Sequence, residues 1–134
     1  MVYLDYNATT PCDGRVAAAM EPYLCQKYGN PSSLYSIARE ARRAVARARE
    51  AVAALIGAEP QEVFFTGCGT EANNWALKGT AVALKEKGNH IITTAIEHHA
   101  VLEPCEFLAK NGWEVTVLPV DRHGLVDPKV LEEA

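Results

Sequence analysis

The stretch Glu62–Asn74, EVFFTGCGTEANN, constrains this chain more than any other. Its β-branched and aromatic opening, Glu62 to Thr66, reads as a buried strand. Gly67 and Gly69 allow backbone angles that a Cβ would forbid, so a tight turn is expected there. Thr70 offers a hydroxyl cap and Glu71 opens a helical run, so the N–H groups of the first helical turn point back at the turn. With the helix dipole and the Thr70 hydroxyl, they make a phosphate the natural guest. The stretch is not a Walker P-loop, which needs a Gly-Lys-Ser/Thr ending. It is not the dinucleotide fingerprint either, because Ala72 stands where the third glycine belongs. An ordinary strand-to-helix turn that binds nothing shares the same local pattern.

A chain of 134 residues with 49% hydrophobic content fits one ordinary domain with a sizeable core. Its formal charge of -4 argues against nucleic acid or an anionic membrane as the main partner. No apolar run is long enough to span a bilayer, and the start MVYLDYN lacks the basic and apolar regions of a signal peptide, so a cytoplasmic location is expected. Cys12, Cys25, Cys68 and Cys105 form no C-x-x-C pair, which points to reduced thiols and no metal site. Cys68 lies beside a helix N-terminus, a setting that can raise thiol reactivity. A small residue filling a tight turn is the simpler account of it.

Taken in order, Val2–Tyr6 leads into the irregular Asn7-Ala8-Thr9-Thr10-Pro11. Asp13 is the expected cap of a helix that contains Pro22. The turn formers Tyr28–Ser33 precede the longest periodic run, with Ile37, Ala41, Ala44, Val45, Ala48, Val52, Leu55 and Ile56 on one stripe. Ser33 or Ser36 is its candidate cap and Gly57 its terminator. The other face carries Arg39, Arg42, Arg43, Arg47 and Arg49, a solvated or subunit-facing surface given the acidic total charge. After the central turn the pattern predicts a helix over 71–87, ended by Gly88, with Trp75 in the core. It then predicts a strand over His90–Thr94, a helix over Ala100–Lys110, a strand over Trp113–Leu118 and a last helix capped by Asp127. Strand, helix, strand, helix, strand with short connections is the pattern of a parallel α/β sheet. Ligands of such sheets sit beyond the C-terminal strand ends. Gly67–Thr70 and Ala95–His99 both occupy that position, and His98 has no partner ligands at metal-binding spacing.

The segments LDYNATTP, YGNPSS, FFTGCGTEANN and IEHHAVLEP, in that order, resemble the cysteine desulfurases, a class V aminotransferase branch of the fold-type I pyridoxal-phosphate enzymes. The resemblance covers essentially the whole chain. It implies an N-terminal arm over 1–14 and, over 15–134, the first and incomplete part of a large cofactor-binding domain with a mainly parallel sheet flanked by helices. By the same resemblance Gly69 and Thr70 hold the phosphate of pyridoxal 5'-phosphate. His98 stacks on the ring and moves protons, and Asn7 and Ala8 line the substrate side. The implied reaction converts L-cysteine to L-alanine and leaves sulfur as an enzyme persulfide for iron-sulfur cluster or other sulfur-cofactor assembly. A homodimer and a sulfur-acceptor or scaffold protein are the implied partners.

Two departures stand out. The cradle usually reads Ser-Gly-(Gly or Ala)-Thr-Glu, whereas this chain has Gly67-Cys68-Gly69-Thr70-Glu71. The family's Schiff-base lysine, its pyridine-pairing aspartate, persulfide cysteine and carboxylate-binding arginine match no position here. The 134 residues are therefore expected to need a C-terminal portion or a partner chain, and to be inactive alone. A selenocysteine lyase or another class V relative is the alternative enzyme, separable by assay with L-selenocysteine. A non-catalytic phosphate-binding module is the alternative outside enzymes, separable by whether a lysine-bearing partner exists.

Overall fold

The computed structural model describes residues 2–134, and the chain divides into two compact units between Phe64 and Phe65.

In the N-terminal unit, Tyr6–Ala8 form a turn in which the Ala8 amide donates to the Asp5 carbonyl at 3.1 Å. The Tyr3 hydroxyl closes the loop by donating to the carbonyls of Asp5 and Thr9. Helix α1 (Gly14–Cys25) starts where expected, the Asp13 carboxylate accepting from the Arg15 amide at 2.8 Å. The Arg15 guanidinium beside Asp13 holds that carboxyl below its ordinary value. The helix runs through Pro22 and ends at Cys25. Helix α2 (Ser36–Ile56) is capped by Tyr35, with no side-chain hydrogen bond, instead of by Ser33 or Ser36. Gly57 ends it in the left-handed conformation at φ 69°, as a C-terminal glycine should. Ala38, Ala41 and Ala53 are the buried residues of α2, whereas Leu55 and Ile56 are 84% and 66% exposed. The apolar stripe is thus largely uncovered among the described residues. Arg49 donates from Nε to the Val63 carbonyl at 3.0 Å, tying the segment after a 3-10 turn at Pro60–Glu62 back to α2.

The expected strand at Glu62–Thr66 is not one. Val63 has extended backbone angles, but residues 63–66 join no ladder, and strand propensity without a neighbour makes no strand.

In the C-terminal unit, α3 (Gly69–Ala83) leads to β1 (His90–Thr94), then α4 (His99–Lys110), β2 (Glu114–Leu118) and α5 (Pro128–Glu133). Strands β1 and β2 pair in parallel, His90 opposite Glu114 and Thr94 opposite Leu118. A hydrogen bond between His90 Nε2 and Thr116 Oγ1 at 2.8 Å adds a cross-strand link. Helix α4 packs on both α3 and β2, burying Ala100, Pro104, Cys105 and Leu108. Helix α3 stops at Ala83, short of the expected end near Lys87, because a turn bonding the Lys87 amide to the Leu84 carbonyl replaces its last turn. Trp75, expected in the core, is 53% exposed. Asp127 caps α5 as expected.

Candidate active site

The central turn keeps its anion-ready character through a different arrangement from the one the sequence predicts. Cys68, not Thr70, is the N-cap of α3, its backbone extended and its side chain making no capping bond. Gly69 and Thr70 are the first and second helical residues, both exposed. The first helical hydrogen bond runs from the Ala72 amide to the Cys68 carbonyl at 3.1 Å. The amides of Gly69, Thr70 and Glu71 therefore have no carbonyl inside the helix to bond, and they lie at its positive end.

Neither Gly67 nor Gly69 has a positive φ, so the turn does not rest on glycine-only angles. Gly67 is spatially constrained and Gly69 is not. A Cβ on Gly67 would lie 3.1 Å from Glu71 Oε2, while the space beside Gly69 is open. Glu71, the third helical residue, accepts from the Gly67 amide at 2.6 Å, and the Thr66 hydroxyl donates to the Cys68 carbonyl at 3.1 Å. Only the Glu71 half resembles a capping box, and it reaches the residue before the cap instead of the cap itself. That bond draws the Glu71 carboxylate toward Gly67 and fixes the turn, a role the sequence reading missed although a Glu at the third helical position was its signal.

His98 occupies the second helix start of the same unit. It is the N-cap of α4, with φ -63° and ψ 149°, and its Nδ1 accepts from the Ala100 amide at 3.0 Å. The cap moves the start of the helix to His99, one residue before the expected Ala100. The His98 and His99 rings stand 6.2 Å apart at 68° and so face different directions. The start of α4 follows the C-terminal end of β1, where ligands of parallel α/β sheets sit, whereas the start of α3 follows the unpaired segment 63–66. Asn7 and Ala8 lie exposed at the turn of the N-terminal unit.

Cys12, Cys25 and Cys68 are exposed, and no cluster that could hold a metal occurs among the described residues. Cys105 is buried, and that burial, with the Glu97 carboxylate adding to it, pushes its thiol above the ordinary value. Cys105 is therefore expected to resist iodoacetamide in the native protein at neutral pH and to react in urea, as read by mass spectrometry. Equal labelling in both conditions would contradict its burial.

The aminotransferase class-V family profile matches residues 2–134. The chain belongs to this family. It is 58% identical over 133 residues to the "Cysteine desulfurase IscS" of Dictyoglomus turgidum, a match covering 99% of this chain and 34% of that protein. Among solved structures, a "NIFS-like protein" superposes with a TM-score of 0.92 at 45% identity, covering 98% of this class-V chain and 36% of the other. "SspA in complex with cysteine" superposes at 0.90 with 40% identity, covering 98% and 38%. The class-V chain thus spans about a third of the length of the relatives it matches. Its fold class is the expected one, α/β and the N-terminal portion of a fold-type I transferase.

Proposed function

We propose that this chain is the N-terminal part of a pyridoxal-phosphate cysteine desulfurase that converts L-cysteine to L-alanine. The sulfur leaves as an enzyme persulfide and passes to an acceptor or scaffold protein for iron-sulfur or other sulfur-cofactor assembly. The observation that carries this reading is the likeness to desulfurases over nearly the whole chain, joined to a helix N-terminus that suits a phosphate.

The residues present fit the cofactor. Three amides without helical acceptors, an adjacent hydroxyl and open space beside Gly69 make a donor set for a phosphate dianion. Gly69 and Thr70 would hold that phosphate, and His98 is the residue assigned to the pyridine ring. When bound, the cofactor supplies a sink for the electrons released at the substrate carbon. His98 holds or moves a proton beside that carbon. Asn7 and Ala8, in an arm over 1–14, line the substrate side, while 15–134 begin the large domain. The Schiff-base lysine and persulfide cysteine come from the remaining portion or a partner chain, within a cytoplasmic homodimer. Because the family profile is broader than desulfurases, a selenocysteine lyase or other class V relative is the second reading. Turnover of L-selenocysteine without L-cysteine would select it.

Thr70→Val in the full-length protein tests the phosphate site. Each charge-assisted hydrogen bond is worth about 1.5–3 kcal/mol, so cofactor affinity should fall about tenfold or more. Unchanged affinity by titration would remove Thr70 from the site.

A further inference from the structure

We propose that the cap of α4 fixes the tautomer of His98, so that the ring offers a proton-bearing Nε2, and no free lone pair, to the atoms it faces. The inference rests on the assignment of His98 to the cofactor and names the atom through which it acts.

A neutral imidazole has one N–H and one acceptor nitrogen. His98 Nδ1 is the acceptor, because it takes the Ala100 amide hydrogen at 3.0 Å. The ring hydrogen is then on Nε2. The donor cannot turn away to favour the other tautomer, since it is a backbone amide in a 12-residue helix and Ala100 is buried at 6% exposure. Among the described residues no group bonds Nε2. The nearby Glu97 carboxylate takes the Thr94 hydroxyl at 3.4 Å.

A locked Nε2–H makes the capped ring a hydrogen-bond donor toward an electron-rich atom of cofactor or substrate. The Ala100 amide is a positioning group for that ring. The cap also separates the two histidines chemically, since His99 is the first residue of α4 and makes no such bond.

The test uses the full-length holoenzyme, in which neutron diffraction after exchange into D2O locates ring hydrogens. Deuterium on Nε2 and none on Nδ1 is expected; deuterium on Nδ1 overturns the proposal. Hydrogen exchange at the Ala100 amide gives a second reading. His98→Asn keeps an acceptor in reach of that amide and should leave its protection near the parent value, whereas His98→Ala should speed exchange about tenfold. Equal exchange in the two variants overturns the cap. Turnover of His98→Asn separates the two levels of the argument. A large loss with protection intact supports both, and parent-like turnover overturns the placement of His98 at the cofactor even if the tautomer is as stated.

Discussion

Replacing His98 with alanine in the full-length protein is expected to lower alanine production from L-cysteine about 10²–10⁴-fold, the contribution of a positioned acid/base group. His99→Ala should lose little. The two rings stand 6.2 Å apart at 68°, so one site cannot use both in the same way. His98 is also the one fixed by the Ala100 amide, and an oriented N–H donor is what assistance to a bound substrate requires. His98→Ala removes a helix cap as well, which alone costs about 0.5–2 kcal/mol of stability. His98→Asn, which can cap, isolates the chemical loss. Steady-state kinetics of the three variants decide the matter. Equal rates for His98→Ala and His99→Ala, or the reverse order, would overturn the assignment.

The 134 residues alone are expected to give no alanine from L-cysteine, no absorbance from bound cofactor and no sharp thermal transition. The chemistry needs an amine that bonds the cofactor carbonyl. Four of the six lysines of this chain are engaged elsewhere. Lys27 pairs with Glu40 at 3.0 Å, a hydrogen bond that holds its ammonium form by raising its pKa. Lys78 and Lys85 lie over the rings of Phe107 and Trp113, and Lys110 pairs with Glu106 at 2.6 Å. Lys87 follows α3 and Lys129 lies in α5. The core is equally thin. Leu108 is fully buried, while Phe64, Phe65 and Trp75 are each more than half exposed. Uncovered apolar surface of that kind favours association or a loosely packed state over cooperative melting. Spectroscopy, an alanine assay and calorimetry on the purified chain are the measurements. A yellow, active, sharply melting monomer would refute the expectation.

What the sequence determined by itself was local. Asp13 and Asp127 cap their helices and Gly57 ends α2 in the left-handed region, because each signal acts within a few residues, and β1 and β2 form because each has the other as its neighbour. Motif order likewise sufficed to identify the family. Tertiary structure decided the rest. Glu62–Thr66 has strand composition, yet strand formation depends on a neighbouring strand, and the described residues give it none. The stripe on α2 and Trp75 have core composition, but burial needs an opposing surface that no periodicity supplies. The two helix starts of the candidate site show the same division. The sequence led us to expect an anion site at Gly67–Thr70 and a ring-facing histidine at 98. The fold set the cap at Cys68, drew Glu71 onto the Gly67 amide and turned His98 Nδ1 onto the Ala100 amide. Hydrogen bonds of that kind follow from where the backbone runs, and the side-chain alphabet alone does not fix that path.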